Sequence, residues 1–357
     1  MAQASLVPAE ILLARRVQEM VLNGEELPPP YVCRDDDPTQ VISPTLCSIP
    51  IIDFALLSSS SPIPPDIIAL QKQELQKLRL ALSSWGCFQA VNHGISVSFL
   101  DEVRQVGREF FEQPMEEKNK VCKGVKEIDG YGADPVPEEG QSLDWSDRLF
   151  LSVYPQDTRN YTLWPTNPPS FRGVLEEYSR KTMEMTEVVS KGMARSLNLE
   201  ENCFTNQIGE GPTLQARFNY YSTCERPDLV LGLKPHSDST AFTILLQDHE
   251  GLQIHKDGKW FTVPTIPHAL LVLLGDQMEI MSNGVFKSPV HRVLTNSERD
   301  RLSVAMFYQP APSQEIGPED GLVSEEQPKL FNKVKDYGTI YWDFYQRGMR
   351  ALHVARV

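Results

Sequence analysis

The sequence lacks any long hydrophobic run: its longest purely apolar stretch, Ala269 to Leu274, spans six positions, against the roughly 20 that a membrane-spanning helix needs. No association with a membrane is expected. Cysteine is scarce, with six in 357 residues and no Cys-x-x-Cys pair, which excludes a disulfide framework and suits a reducing compartment. Positive charge is in deficit. The 34 Lys and Arg against 48 Asp and Glu leave a formal charge of -14 spread along the chain, which opposes binding to DNA, RNA or anionic lipid. Gly-x-Ser-x-Gly, a Walker loop and His-Glu-x-x-His are all missing. The first residues meet Glu10 and Arg15-Arg16 before an apolar core can form, so no signal peptide is expected and the cytoplasm is the expected location.

What is present is a change of period along the chain. Residues 1–48 read as an irregular leader, broken by Pro28-Pro29-Pro30 and Asp35-Asp36-Asp37-Pro38, because consecutive prolines remove donors and the acidic triplet repels itself. Residues 49–210 read as mostly helical. A short strand at 49–54 and a Ser/Pro loop at 58–65 precede a helix from Asp66 whose face is Gln71, Leu75, Leu78, Leu82 and Trp85. Cys87 to Val91 then form a buried strand. Helices follow at 96–111 and 170–197, the latter with a stripe of Phe171, Leu175, Tyr178, Met185, Val189 and Met193. Methionine at that spacing fills cores.

From Leu214 the period falls to two, with apolar runs at 214–221, 242–247, 252–254, 269–274 and 302–308 separated by turn signals such as Asp257-Gly258 and Asn283-Gly284. This predicts an α+β fold in which a jelly-roll or barrel at 211–312 is supported by helices, with a C-terminal helical extension at 313–357 docking back on it. Its final segment, 336–350, carries Tyr337, Ile340, Tyr341, Phe344 and Met349.

Within the β unit, His236 and Asp238 stand two apart, so on a strand they share a face. His291 follows beyond Ser282-Asn283-Gly284, a turn signal that lets one or more hairpins return it to the first pair. Two histidines and one carboxylate suit non-haem Fe(II) with open coordination positions, and Zn(II) would accept them too. On the next strand Arg301, Ser303, Ala305 and Phe307 share one parity. An inward Arg needs a carboxylate partner or an anionic ligand, and the adjacent hydroxyl of Ser303 favours a dicarboxylic acid bound through both oxygens of one end. Arg217, Asn219 and Tyr221 share a face in the same way, either lining the site or facing solvent. His93, in a turn before the barrel, reads as a satisfied histidine and no ligand.

These residues together resemble the signature of plant 2-oxoglutarate- and Fe(II)-dependent dioxygenases: His236-x-Asp238, His291, Arg301-x-Ser303 and Asn219-Tyr220-Tyr221. The likeness extends over most of the chain through Ile49-Pro50-Ile51-Ile52-Asp53, the run from Trp85 to Gly94, Phe110-Phe111-x-x-Pro114, Gly275-Asp276 and Ser282-Asn283-Gly284. Gly130-Tyr131-Gly132, Asp144-Trp145 and Leu163-Trp164-Pro165 resemble the branch of opiate O-demethylases, flavonoid-type oxygenases and senescence-related homologues. One departure is Ser288-Pro289-Val290-His291, where many relatives carry an acidic residue before the histidine.

The resemblance implies a double-stranded β-helix with His236, Asp238 and His291 as catalytic iron ligands. Arg301 and Ser303 would clamp the distal carboxylate of 2-oxoglutarate, with Asn219 and Tyr221 as further contacts. The implied cofactors are Fe(II), 2-oxoglutarate and O2, with ascorbate as a stimulant. The implied reaction hydroxylates or O-demethylates a small plant specialised metabolite, whether alkaloid, phenolic, flavonoid or terpenoid, releasing succinate and CO2. Phe307, Phe150, Tyr131 and Arg217 are the candidate substrate contacts, and a monomer is expected. The rival readings are an ascorbate-using oxygenase, a zinc hydrolase, a silent small-molecule binder and a condensing enzyme on the same fold.

Overall fold

Alternation along a strand gives it two faces, and the computed structural model shows what each face meets. It describes residues 15–33, 45–46, 49–58, 65–124, 127–134 and 142–357; the acidic triplet of the leader and most of the Ser/Pro loop lie outside these. The larger sheet is built from β2 (Ile51–Asp53), β3 (Cys87–Val91), β4 (Gly130–Gly132), β5 (Asp147–Tyr154), β6 (Thr213–Tyr221), β8 (Phe242–Gln247), β11 (Leu270–Leu274) and β13 (Arg301–Gln309). Its order is β2-β3-β11-β8-β13-β6-β5-β4. Facing it lies a smaller sheet of β1 (Thr45–Leu46), β7 (Leu231–His236), β9 (Leu252–Lys256), β10 (Lys259–Thr262) and β12 (His291–Leu294), ordered β1-β10-β9-β12-β7.

Parity sorts the core into two layers. Leu245, Leu271, Leu273 and Ala305 pack with Leu233, Leu252, Ile254 and Val293 between the sheets. Their neighbours Ile244, Leu246, Val272, Leu302, Val304 and Phe218 pack with residues of the helices. Three helices contribute most of that outer layer: α2 (Pro65–Ser84), α3 (Val97–Phe111) and α4 (Phe171–Ser196), α1 being the short Val17–Leu22. The stripe expected on α4 is buried at every position, from Phe171 through Met193, and each such side chain contributes about 1.5–3 kcal/mol by leaving water. On α2, Leu78 and Leu82 are buried while Gln71 is only half-buried. Glu74 replaces it in the interior because its Oε1 accepts the Asp53 backbone N–H at 2.7 Å.

Three observations differ from the sequence expectations. Beyond the two strands expected near 49–54 and 87–91, residues before 210 also supply β4 and β5, and all four strands belong to the same sheet as the barrel strands. β5 is buried without interruption from Asp147 to Leu151, which erases the two-residue period that reveals a half-exposed strand. Asp257-Gly258 does turn the β9–β10 hairpin, but Asn283-Gly284 does not turn a hairpin. It closes a short helix, α5 (Asp276–Met281), with both residues at positive φ. The Asn283 amide is instead consumed by the C-terminal extension, donating to the Leu322 and Pro328 carbonyls and accepting from Leu330 N–H. Among the described residues no helix is long and apolar enough to cross a membrane.

The chain's last long helix, α6 (Tyr337–Gln346), packs over one open end of the barrel. At the other side of the core Gly86 joins α2 to β3 at φ +66, and a Cβ there would lie 2.2 Å from the Lys287 carbonyl oxygen and 2.7 Å from Pro289 Cδ. Gly86→Ala should therefore cost about 3 kcal/mol or more, from left-handed strain plus overlap with backbone. Urea denaturation measures this, and a loss under about 1 kcal/mol would mean that the 287–289 segment yields freely.

Candidate functional site

Antiparallel pairing of β12 with β7 sets His291 directly opposite His236, with ring centroids 4.2 Å apart. The register shifts between this pair and the next, Val293 with Leu233, so β7 carries an extra residue there. That bulge lets both Leu233 and His236 face the interior, although strict alternation would put them on opposite faces. Asp238 lies just past the end of β7. Its Oδ1 is 3.7 Å from the Nε2 of each histidine, and the three ligand atoms lie within 4.8 Å of one another.

The surroundings prepare these atoms for a cation. His236 Nδ1 faces the Lys234 carbonyl at 2.8 Å and His291 Nδ1 faces the Pro289 carbonyl at 3.3 Å. A carbonyl only accepts, so Nδ1–H donates in both rings and each Nε2 lone pair is directed at the shared point. Burial, and next the neighbouring His291, hold His236 well below the ordinary imidazole value, so its ring is neutral. Asp238 Oδ2 accepts the Thr243 hydroxyl at 2.6 Å, leaving Oδ1 as the carboxylate oxygen that could hold a metal ion with the two histidines. Two imidazoles and one carboxylate on a single face fit Fe(II), with the opposite face open for ligands, and fit Zn(II) equally.

A buried polar brace stands behind the ligands. Asp276 Oδ2 accepts from Ser237 Oγ at 3.3 Å and Tyr337 OH at 2.9 Å, and Asp276 N–H donates to the Asp238 carbonyl at 2.8 Å. Glu279 Oε2 accepts from Ser288 N–H at 2.7 Å. Arg350 Nη2 reaches Asp276 Oδ1 at 3.1 Å, Glu279 Oε2 at 3.2 Å and the Ser288 carbonyl at 2.9 Å. The segment just before His291 is thus held at Ser288 by Glu279 and Arg350. Sequence reading missed this brace. Asp276 was visible only as part of Gly275-Asp276, and Arg350 carries no periodic signal.

Arg301 and Ser303 on β13 and Asn219 and Tyr221 on β6 line the same small inner cavity as the three ligands. Arg301 is 4% exposed. Its Nε donates to the His249 carbonyl and its Nη2 to Gln247 Oε1, both at 2.9 Å, while Nη1 is buried with no hydrogen-bond partner. Among the described residues no carboxylate forms an ion pair with it. A buried guanidinium with neutral partners and one vacant N–H is costly until an anion arrives. Ser303 Oγ stands next to it, accepting from Asn219 Nδ2 at 3.3 Å.

A wider chamber of about 330 Å³ opens from the ligands toward α6. Phe150 and Phe307 stack in its wall with centroids 6.1 Å apart, and Arg217 borders both cavities. Tyr131, expected beside them, is not there. Its strand turns it into the core, fully buried, edge-on to Phe110 at 5.6 Å, with its hydroxyl toward Met115 Sδ; the flanking glycines form a strand, not a turn. Its place in the chamber is taken by residues the sequence did not single out as contacts: Trp342, Tyr345 and, from the 127–134 segment, Asp134. Tyr341 also lines the chamber and donates from its hydroxyl to the Ser237 carbonyl at 2.6 Å. His93 is satisfied elsewhere, its Nε2 on the His268 carbonyl at 3.0 Å.

Known proteins resemble this chain over most of its length. Residues 212–310 match the family model of the 2OG-Fe(II) oxygenase superfamily, and residues 49–167 that of the non-haem dioxygenase in morphine synthesis N-terminal region. The chain is 40% identical over 335 residues to Protein SRG1 of Arabidopsis thaliana, covering 91% of each sequence. It is 37% identical over 323 residues to codeine O-demethylase of Papaver somniferum, covering 89% of this chain and 88% of that one. A crystal structure of JOX2 in complex with 2OG, Fe and JA superposes with a TM-score of 0.83 at 34% identity, covering 96% of this chain and 98% of that one.

Thr243→Val keeps the side-chain shape but leaves Asp238 Oδ2 without its donor. It should weaken Fe(II) binding about 10- to 100-fold, while Thr243→Ser stays near wild type. Anaerobic Fe(II) titration checks this, and unchanged affinity in the valine variant would show the hydroxyl to be incidental.

Proposed function

Because the chain belongs to the 2OG-Fe(II) oxygenase superfamily, we propose that His236, Asp238 and His291 hold its Fe(II) and that Arg301 with Ser303 binds the distal carboxylate of 2-oxoglutarate. The chain is a 2-oxoglutarate-dependent oxidoreductase with a small-molecule substrate. The observation that carries the assignment of residues is Arg301: a buried guanidinium with neutral partners and an Nη1 that has none, on a side chain lining the cavity that the three ligands share. A zinc hydrolase would have no use for it. Iron, 2-oxoglutarate and O2, when bound, would supply the oxidising chemistry, in which one atom of O2 ends in succinate with release of CO2 and the other enters a C–H bond of the substrate.

The protein's own contribution is positional. Thr243 and the two backbone carbonyls fix the ligand atoms, so no reorganisation is needed when the metal arrives. Asn219 steadies Ser303, and the Tyr221 ring lies 5.1 Å under the Arg301 guanidinium, shielding that charge from water and strengthening its grip on an anion. In the chamber, Phe150 and Phe307 present a stacked apolar wall against which Trp342 and Tyr345 close, which suits a flat aromatic substrate held with one C–H bond toward the open face of the iron. Arg217 stands at the passage between the chamber and the inner cavity.

The organic substrate we propose is a phenolic, flavonoid or alkaloid of modest size, hydroxylated or O-demethylated. Residues 211–312 would carry the catalytic unit, with 49–210 and 313–357 walling it. The acidic surface, at a formal charge of -14, supports a monomeric cytoplasmic enzyme with no nucleic-acid partner.

Anaerobic addition of Fe(II) and then 2-oxoglutarate to the purified protein should produce the weak visible charge-transfer band of chelated 2-oxoglutarate. His236→Ala or Asp238→Ala should abolish turnover without unfolding. Arg301→Ala should weaken 2-oxoglutarate binding about 100-fold and leave Fe(II) affinity nearly unchanged. A band equally strong in the Arg301 variant at limiting 2-oxoglutarate would sink the carboxylate assignment.

A further inference from the structure

Arg217 and Arg301 both point inward from the large sheet, but their surroundings are opposite. Arg301 has neutral partners and a vacant nitrogen. Arg217 is already matched: Nη2 donates to Asp134 Oδ2 at 2.9 Å, Nη1 to Asp134 Oδ1 at 3.4 Å, and Nε to Asn219 Oδ1 at 2.5 Å. Asp134 is itself fixed from the other side, its Oδ1 accepting from Arg148 Nε at 2.7 Å. Arg148 is tied down by the Ile128 carbonyl at 2.6 Å and the Gly130 carbonyl at 3.3 Å. All three side chains line the substrate chamber, and all are largely buried, at 2% exposure for Arg148, 13% for Arg217 and 11% for Asp134. Burial alone would raise Asp134, but Arg217 and then Arg148 outweigh it and keep the carboxyl well below the usual range, so the pairing persists at neutral pH.

A carboxylate substrate could reach Arg217 only by displacing Asp134 or by sharing a guanidinium with it. Either choice sets two anions against each other in a desolvated wall, where like charges repel strongly. An uncharged aromatic molecule meets no such opposition. It finds the stacked faces of Phe150 and Phe307 and the hydrogen-bonding edges of Gln215 and Gln309 on the same chamber wall.

Resting on the reading of this chamber as the substrate site, we propose that Asp134 is a specificity-determining residue: by occupying Arg217 it makes the chamber select uncharged flat aromatic molecules and exclude carboxylates. The sequence position alone gives no hint of this role. Asp134 acquires it because β4 and the segment after it place its carboxylate between two arginines of β5 and β6.

The test compares two probes of nearly the same shape, 2-naphthamide and 2-naphthoate, by calorimetry on the Fe(II)- and 2-oxoglutarate-loaded protein under anaerobic conditions. Wild type should bind the amide at least about tenfold more tightly than the carboxylate. Asp134→Asn should raise naphthoate affinity about tenfold or more and leave naphthamide within a few-fold. Adding Arg217→Gln should abolish that gain. Should Asp134→Asn fail to fold, Asp134→Asn combined with Arg148→Gln, which removes one charge of each sign, should show the same gain. Equal or tighter binding of naphthoate by wild type, no binding of either probe, or a gain that survives Arg217→Gln would each overturn the proposal. The charge-transfer band is read on the same samples. Its absence counts against the Fe(II)/2-oxoglutarate reading, whereas a normal band with an unmoved probe ratio counts against the role of Asp134 alone.

Discussion

The site depends above all on the antiparallel register that sets His236 opposite His291 at one end of the smaller sheet. Neither histidine has a reason to be near the other in the chain; only the β7–β12 ladder brings them together. The extra residue in β7 turns His236 inward beside Leu233, and Asp238 completes the set because the chain leaves the strand within two residues. The polar brace of Asp276, Glu279 and Arg350 then holds the two ligand-bearing segments at fixed separation from behind. Without it, the carbonyls that orient the imidazoles would be attached to mobile ends of strands.

Much of this was readable from residue order, where alternation is clean. On β13 the parity of Arg301, Ser303 and Phe307 put them on one face, and on β6 that of Arg217, Asn219 and Tyr221 left the choice between the site and solvent; the structure has all six lining the inner cavity. The stripe on α4 was equally legible, since its period is undisturbed for seven turns' worth of chain. The failures share a cause: a local signal overridden by contacts made far away in sequence. Asn283-Gly284 has the composition of a hairpin turn, yet its amide is taken by the C-terminal extension. Tyr131 between glycines looks exposed, yet the aromatic cluster of Phe110 and Phe111 claims it. β5 gives no alternation because both its faces are covered.

Charge is distributed inside the barrel with a consistent logic. Where a group is paired, as Arg217 is with Asp134, the wall is finished before any ligand enters. Where a group is left short, as Arg301 is at Nη1, the deficit supports the proposed binding of a ligand of opposite sign. The same fold therefore keeps one cavity receptive to an anion and lines the adjoining chamber with satisfied charges and aromatic faces.

The interleaving of strands in the larger sheet bears on how such a molecule can be assembled. β11 pairs with β3 on one side and with β8 on the other, and β6 lies between β13 and β5. In the larger sheet the strands of the segment 211–312 are thus flanked on both edges by strands drawn from the first half of the chain. Cut out alone, it would present two unpaired edges and a bare apolar face, the conditions for edge-to-edge aggregation. Its contacts also span great sequence distances, so closure of the sheet is a late and slow event that few local elements can hasten. The metal-binding half is therefore not a portable module. A transplant between relatives has to carry β2 to β5 with it, and the natural unit of recombination is the whole sheet.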